Sequence, residues 1–264
     1  MDLQLQGQTA LVTGSTAGIG YAIAKLLAQE GADVIINGRT QSAVDNSVKK
    51  LKADHPNARV MGIASDLSKS TGCEQLISTL PSVDILVNNL GIFDPKPFEN
   101  ISDTDWQRFF ETNVMSGVRL SRAYLPAMKK RNRGRIVFIS SESGICPPAE
   151  MVHYGMTKSA QLSISRALAE TCAGTAVTVN SVLPGPTLTE GAKDFFGKLA
   201  AEQGVSFDVA AENFFSQARP TSLLRRFITP DEVASMVAYV CSPKSAATNG
   251  AALRVDGGVV RSLV

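Results

Sequence analysis

The chain contains few residues of the kinds that staple small folds or bind metal ions. It has four cysteines, which lie far apart and form no CxxC pair, and two histidines, which are also distant from each other. Disulfide frameworks are typical of short secreted chains, and metal sites need ligands at short spacings. We therefore expect reduced thiols and no metal ion.

The sequence also lacks a strong charge bias and a long apolar run. It has 26 basic and 24 acidic side chains, a net charge of +2, which is too small a bias to indicate a polyanionic partner. No segment has the roughly 20 apolar residues that a membrane span needs, and the first residues show no signal-peptide pattern. We expect a cytoplasmic protein whose partners include neither nucleic acid nor a membrane.

What is present indicates a folded chain. Apolar residues make up 44% and charged residues 19%, which excludes the disordered and collagen-like classes. A chain of 264 residues is long enough to bury a substantial core. No proline-rich or glycine- and serine-rich linker interrupts it, so we expect residues 1–264 to form a single domain.

Short apolar runs alternate with longer segments of helical period. This alternation predicts an α/β fold, doubly wound, with helices on both faces of a seven-stranded parallel sheet. The predicted strands are Thr9–Thr13, Val34–Asn37, Arg59–Ile63, Ile85–Asn88, Arg135–Ser140, Ala176–Val182 and Ala251–Val255. The predicted helices are Ile19–Gln29, Gln41–Lys52, Cys73–Leu80, Asp103–Arg131, Met151–Thr171 and Asp231–Cys241.

One segment, residues 186–224, is too long for a plain connection, which usually has about 2 to 6 residues. We call it the insert and expect it to have helical structure of its own. It holds Phe195, Phe196, Phe207, Phe214 and Phe215. An apolar insert beside the carboxyl end of a strand predicts a lid over a substrate. The alternative is that these rings pack a helix pair onto the body or at a subunit interface.

The segment TGSTAGIG, residues 13–20, joins the first predicted strand to the first predicted helix. We call it the glycine loop. Glycines let the backbone approach phosphates, and the N–H groups and dipole of the helix favour an anion. The loop therefore predicts a nucleotide site, although a tight turn would also use glycine.

The end of the second predicted strand carries no acid that could bind the 2′-hydroxyl of NAD. Asp33 lies at the strand's other end, whereas Arg39 follows it directly. A guanidinium pairs well with a phosphate, so we expect NADP(H) to be preferred, with NAD(H) still possible. The alternative is that Arg39 only solvates a turn.

Tyr154 and Lys158 stand four residues apart on a predicted helix, so their side chains share one face. A nearby ammonium favours the phenolate and makes the phenol a better proton donor and acceptor. Ser141 precedes Tyr154 by thirteen residues and lies at the carboxyl end of a predicted strand. These residues predict proton transfer to a carbonyl oxygen.

Taken together, these motifs resemble the short-chain dehydrogenase/reductase family, in its single-domain form. The resemblance runs from Thr9 to Gly258 and implies an NAD(P)-binding Rossmann fold. Some members similar in this way are 3-oxoacyl-[acyl-carrier-protein] reductases. The matching motifs are TGSTAGIG, NNLG at 88–91, Asn113, Ser141, YGMTK at 154–158, Asn180, Pro184-Gly185 and VDGG at 255–258.

The resemblance implies a catalytic tetrad. Tyr154 would give or take the substrate proton, and Ser141 would hydrogen-bond the reacting oxygen. Lys158 would lower the pKa of Tyr154 and hold the nicotinamide ribose, while Asn113 would fix a water that links Lys158 to solvent. The implied cofactor contacts, besides Arg39, are Gly14, Ser15, Thr16, Gly18, Ile19, Gly20, Asp66, Leu67, Asn88, Gly91, Tyr154, Lys158, Pro184, Gly185, Thr187 and Thr189.

Several positions leave alternatives open. Asp66 would bind the adenine amino group or cap the next helix. Leu90 stands where the family commonly has alanine and would enlarge a position beneath the cofactor. His153 is expected to pack or to lie at an interface, with a substrate contact as the alternative. Residues 129–135, which we call the basic cluster, would balance a helix dipole or dock an acidic carrier protein, the second option being disfavoured by the long insert.

The expected function is transfer of a hydride between NADP(H) and a ketone or secondary alcohol, with a small-molecule substrate. The alternatives are a 3-oxoacyl thioester reductase and a non-catalytic NADP-binding redox sensor. The resemblance also implies a homotetramer or homodimer. The cations of the insert and its end could meet an anionic group on the substrate, and these are Lys193, Lys198, Arg219, Arg225 and Arg226.

Overall fold

The structure is a computed structural model that describes residues 1–263. Strands in this range build one parallel sheet, which confirms the predicted architecture with small shifts at the strand ends. The strands are β1 Thr9–Val12, β2 Asp33–Gly38, β3 Val60–Ala64, β4 Ile85–Asn88, β5 Gly134–Ile139, β6 Val177–Pro184 and β7 Ala252–Val255. Their order in the sheet is β3-β2-β1-β4-β5-β6-β7.

Helices cover both faces of this sheet. They are α1 Gly18–Gln29, α2 Gln41–Asp54, α3 Ser70–Thr79, α4 Asp103–Phe109, α5 Ser116–Lys130, α6 Val152–Thr171, α7 Glu190–Gln203, α8 Phe207–Gln217 and α9 Pro230–Cys241. Short-range signals explain several of the boundaries. For example, Thr229 and Glu232 form a capping box at the start of α9, with Pro230 in the first turn.

The alternation of side chains along the strands divides the core in two. Ala10 and Val12 of β1 pack with α1 and α9 on one face, whereas Leu11 packs with α3 and α5 on the other. Both faces are apolar because helices cover both, as expected for a parallel sheet. The order of the strands reverses between β1 and β4, and a crevice forms there at the carboxyl ends of the strands.

The predicted helix Asp103–Arg131 is interrupted. A π-helical turn, Phe110–Met115, separates α4 from α5. The wider turn carries Asn113, and π-bulges of this kind occur frequently at functional sites. The apolar spacing of the sequence did not indicate such a turn.

The insert has structure of its own, as predicted: it forms the helices α7 and α8. Four of its five phenylalanine rings cluster with Phe227, which lies just beyond it: Phe195, Phe196, Phe214 and Phe215. The Phe196 ring centroid lies 5.0 Å from that of Phe214 and 4.8 Å from that of Phe227.

The basic cluster is largely used within the fold. Arg131 bonds the Ser82 hydroxyl and the backbone oxygen of Val83, and Arg133 pairs with Asp84 at 3.0 Å. Arg135 is buried and donates to Gly134 and Ala176. These contacts favour the structural interpretation of the cluster over a docking patch. Separately, no helix among residues 1–263 is long and apolar enough to cross a membrane.

Candidate active site

A cavity of about 710 Å³ opens at the carboxyl ends of the strands, beside the point where the strand order reverses. It runs from the glycine loop, past the β4 end, to α6 and the insert. The predicted site residues that line it are Gly14, Ile19, Gly20, Gly91, Ser141, Tyr154, Lys158, Pro184, Gly185, Thr187 and Thr189.

The glycine loop is held in shape by two asparagines. Gly14 has φ +59°, a left-handed conformation that favours glycine, and its N–H donates to Asn37 Oδ1 at 3.2 Å. Asn89 Nδ2 donates to the backbone oxygens of Thr13 and Gly14, at 2.8 and 3.0 Å. A Cβ at Gly20 would lie 2.4 Å from that amide nitrogen. Asn89 belongs to the NNLG motif, but the sequence alone did not single it out.

The N-terminus of α1 carries an anion in this structure. The Ala17 side chain makes no capping bond, and the Gly18 N–H donates to the Glu190 carboxylate at 3.1 Å. Helix N-termini bind phosphates through such N–H groups. A carboxylate therefore stands where a phosphate would bind, and the loop and cavity fit the pyrophosphate of a dinucleotide.

Three predicted cofactor contacts have side chains that lie inside the fold. Ser15 is fully buried, and its hydroxyl donates to Val12 O and accepts from Asn37 N–H. The Leu67 side chain belongs to the core. The Asn88 amide is buried and donates to Ser121 Oγ at 3.2 Å, on the α5 side of the sheet. These side chains fold inward because they fill the space between strand and helix.

The end of β2 lies next to the glycine loop, and none of its residues is among those that line the cavity. Arg39 is exposed, and no side chain among residues 1–263 pairs with its guanidinium. Thr16 packs against Gly38, and a Cβ on Gly38 would lie 2.5 Å from the Thr16 methyl group. At the other end of the strand, the Asp33 carboxylate pairs with the Arg59 guanidinium at 3.5 Å. Asp66 accepts from the Ser68 N–H and hydroxyl. It does not cap the next helix, because the N-cap of α3 is Lys69, with no side-chain capping bond, so that alternative is wrong and the adenine contact stays a prediction.

Three of the four predicted tetrad residues meet around one end of the cavity. Ser141 follows β5, and its Oγ accepts from Ser143 N–H at 3.1 Å and donates to the Glu142 carboxylate. Tyr154 and Lys158 lie on the first turns of α6, and the Lys158 ammonium lies 5.5 Å from the centre of the Tyr154 ring. The arrangement can present a phenol, a hydroxyl and an ammonium to one bound group.

Asn113 is connected to Lys158 through Gln161. The Lys158 ammonium donates to Ile139 O at 2.9 Å and to Gln161 Oε1 at 3.2 Å. The Gln161 amide donates in turn to Asn113 O at 2.6 Å. The water link stays a prediction, and in this structure a buried side-chain amide joins the two residues. Its spacing, three residues beyond Lys158 on the same helix face, could have indicated it.

Burial governs the ionisation of this pair. The pKa of Tyr154 is raised above its ordinary value by burial and by the Glu142 carboxylate, against smaller opposing effects of Ser141 and Arg219. Burial also lowers the pKa of Lys158 to about 8, with Glu142 acting in the opposite direction. The Lys158 ammonium is directed toward Ile139 O and Gln161, and its expected lowering of the Tyr154 pKa stays a prediction.

The other strand ends complete the cavity wall. Thr189 Oγ1 accepts from Ala192 N–H at 3.2 Å and caps α7, while Thr187 donates to Gly185 O at 2.9 Å. A Cβ at Gly185 would lie 2.6 Å from Asp256 O, so only glycine fits there. Pro184, Gly185 and the two threonines thus form a rigid edge beside Tyr154.

Comparison with known proteins assigns the family. The family model for short chain dehydrogenase matches residues 8–199. The uncharacterized oxidoreductase YvaG of Bacillus subtilis is 52% identical, with 100% of both chains covered. The structure of L-sorbose reductase from Gluconobacter frateurii, complexed with NADPH and L-sorbose, aligns with a TM-score of 0.92 at 31% identity, covering 100% of both chains.

The chain belongs to the short-chain dehydrogenase family. It is thus an oxidoreductase of the kind that interconverts CH–OH and C=O groups. A further structure, a putative NAD(P) dependent gluconate 5-dehydrogenase from Beutenbergia cavernae with bound NADP, aligns with a TM-score of 0.87. It is 30% identical, with 99% of this chain and 100% of that chain covered.

The substrate side of this short-chain dehydrogenase is mainly aromatic. Phe93 lies edge-on to Tyr154, with ring centroids 6.5 Å apart, and Phe195, Phe196 and Phe214 of the insert line the opposite wall. His153 takes no part, because it is fully buried against Phe109 with ring centroids 3.9 Å apart. It packs in the interior, one of the two roles expected of it.

One polar group on that side escaped the sequence interpretation. Glu142 is buried beside Ser141 and pairs with Arg219, Nε to Oε1, at 3.2 Å. Arg219 also pairs with Glu150, Nη1 to Oε1, at 3.1 Å. A carboxylate directly after the site serine was the available signal, but its partner lies 77 residues further along the chain.

Proposed function

We propose that the protein is an NADP(H)-dependent reductase that interconverts a ketone and a secondary alcohol. The observation that carries the proposal is the meeting of Tyr154, Ser141 and Lys158 at one end of a cavity whose other end is the glycine loop. The L-sorbose reductase and gluconate dehydrogenase structures contain NADPH and NADP, which supports the same cofactor here.

Each part of the cavity has a role in holding the cofactor. The N–H groups of the glycine loop and α1 bind the pyrophosphate once Glu190 moves aside, and Arg39 binds the 2′-phosphate. Thr187 and Thr189 bracket the carboxamide, and Lys158 holds the nicotinamide ribose. When bound, the cofactor supplies or accepts the hydride at the substrate carbon.

Proton transfer belongs to the chain itself. In the reductive direction, Tyr154 donates its phenolic proton to the carbonyl oxygen, and Ser141 turns its hydroxyl from Glu142 to the same oxygen. A charged Lys158 stabilises the resulting phenolate, and Gln161 and Asn113 keep the ammonium in place. The oxidative direction reverses these steps, with the phenolate as proton acceptor.

The insert, in this proposal, forms the lid that closes the substrate side. Its rings line the cavity opposite Tyr154, and Arg219 ties its end to Glu142 next to Ser141. Closure of such a lid excludes water from the reacting atoms. We also place the protein in the cytoplasm, where its four free cysteines stay reduced.

Replacement of Tyr154 by Phe tests the reaction. We expect the initial rate of NADPH oxidation with ketones to fall by about 10²-fold or more, since one general acid contributes roughly that factor. The dissociation constant of NADPH should stay near the wild-type value, because the cofactor does not need the phenolic proton. The assay uses cyclic ketones, keto acids and an acetoacetyl thioester.

Retained turnover in the Tyr154→Phe variant would contradict the mechanism. Activity confined to the thioester would favour the 3-oxoacyl reductase. Saturable NADPH binding without turnover of any carbonyl compound would favour the redox sensor.

Replacement of Arg39 by Ala tests the cofactor preference. We expect the dissociation constant of NADPH to rise by about tenfold, because a phosphate loses its guanidinium partner, and that of NADH to change little. Arg59→Ala is the matched control, an exposed arginine at the start of β3 and away from the cavity. An equal weakening of NADH binding would show that Arg39 does not bind the 2′-phosphate of NADPH.

A further inference from the structure

The charged groups on the substrate side of the cavity are already paired with one another. Within the part of the chain that the structure describes, the charged residues lining the cavity are Glu142, Glu150, Lys158 and Arg219. Lys158 is held by Ile139 O and Gln161 and belongs to the reacting centre. Arg219 is therefore the cation that a substrate anion would have to use.

Arg219 already has two carboxylate partners. Its Nε meets Glu142 and its Nη1 meets Glu150, and only 11% of its side chain is exposed. Glu142 is more buried still, with 6% of its side chain exposed. The two glutamates thus occupy the guanidinium through Nε and Nη1. A substrate carboxylate would have to compete with them for Arg219, and burying it beside Glu142 without a free cation is unfavourable.

The Glu142 carboxylate also acts on the reacting groups. Glu142 raises the pKa of both Tyr154 and Lys158, so its field acts at the place where the carbonyl oxygen must lie. The rest of the wall is apolar, with Phe93, Phe196 and Phe214 among its members. Such a wall binds an uncharged, apolar substituent by removing it from water.

We propose that the Glu142–Arg219–Glu150 cluster makes this site selective for uncharged carbonyl compounds with an apolar substituent, and that it rejects keto acids. The inference rests on the proposed function, whose substrate it narrows. It reverses the expectation that Arg219 would receive an anionic group, because the two glutamates occupy the guanidinium.

The test compares two ketones of the same shape, para-acetylbenzamide and para-acetylbenzoate, which differ in charge. For each, kcat/KM is measured with NADPH, and binding to the enzyme–NADPH complex is measured by calorimetry. We expect the wild-type enzyme to prefer the amide by about tenfold or more in both measurements, because the benzoate carboxylate lies close to Glu142 and finds no free cation at this wall.

Glu150→Gln identifies the cause. Glu150 is half exposed, so the variant should fold, and it releases Arg219 from one carboxylate. We expect the preference for the amide to shrink by about tenfold in this variant. The matched control is Glu212→Gln, which removes an exposed carboxylate from α8 outside the cavity and should leave the preference unchanged.

The outcomes separate the two proposals. Equal handling of the benzoate and the amide by wild type, binding of neither, or an unchanged preference in Glu150→Gln would overturn the charge selection. Preferential binding of the amide without any turnover would support the selectivity and count against the reductase function.

Discussion

The Lys158 ammonium is poorly solvated, because its side chain is 4% exposed and its polar contacts are Ile139 O and Gln161. Burial of a charge without a close opposite charge disfavours the charged form. In the adjacent Tyr154, burial and the Glu142 carboxylate likewise disfavour the charged form, here the phenolate. At neutral pH the phenol therefore stays protonated and the ammonium stays mainly charged, which are the forms that the reductive direction uses.

Lys158 should give the stability of the cofactor-free protein a defined pH dependence. Its pKa is about 8 when folded, against 10.5 for the ordinary side chain. The unfolded state thus binds more protons between these values, and stability rises with pH across this window. The loss of stability caused by burying the charged Lys158 side chain is fully present below about pH 8 and absent above about pH 10.5.

Comparison with Lys158→Met isolates this effect, since other groups titrate alike in both proteins. The free energy of unfolding of the wild type, relative to the variant, should rise by up to about 3 kcal/mol across the window. Urea denaturation at several pH values measures it. A constant difference would mean that Lys158 has an ordinary pKa.

The π-helical turn and the insert are the two elements that adapt a common sheet to this site. The turn brings Asn113 beside the β4 end, where its amide bonds Ile92 through both polar atoms. The insert contributes a ring cluster that packs mainly within itself and with Phe227. An element with few partners on the body is suited to opening and closing.

Phe196→Ala should weaken the insert and its wall together. Phe196 is 7% exposed and contacts three other rings, so the free energy of unfolding should fall by about 3 kcal/mol. KM for apolar ketones should rise, while the dissociation constant of NADPH stays unchanged. Thermal denaturation and steady-state kinetics provide the measurements.

Phe207→Ala is the matched control for this variant. Phe207 lies at the start of α8, is partly exposed and does not line the cavity. Its truncation should have a smaller effect on stability and none on KM. Equal KM values for Phe196→Ala and wild type would show that the insert does not contact the substrate.

At the scale of the whole molecule, we propose a homotetramer or homodimer whose main interface is formed by the helical segments Asp103–Arg131 and Met151–Thr171, as the family resemblance implies. Phe110, at the junction of α4 and α5, is 40% exposed, and a second copy could cover it. Phe110→Glu should therefore lower the molar mass in solution toward that of one chain of 28.0 kDa. Light scattering after size-exclusion chromatography measures the change, and an unaltered mass would place the interface elsewhere.

Much of this architecture could be predicted from local patterns. The alternation of strands and helices, the glycine loop and the pair Tyr154 and Lys158 are readable because side-chain period and spacing act over a few residues. Local patterns do not reveal features that arise from packing between elements. The π-helical turn and the inward-facing Ser15 and Asn88 depend on how strands and helices pack.

The substrate side depends on contacts between distant segments. Arg219 lies 77 residues from Glu142 and 69 from Glu150, and each alone would be interpreted as an ordinary surface charge. Folding buries Arg219 and Glu142, leaves Glu150 half exposed and pairs the guanidinium with both carboxylates, which in our proposal turns a candidate anion site into its opposite. The spacing of residues along the chain was enough to predict the residues of the reaction. The proposed choice of substrate depends on the pairing of charges from distant segments, which no local pattern encodes.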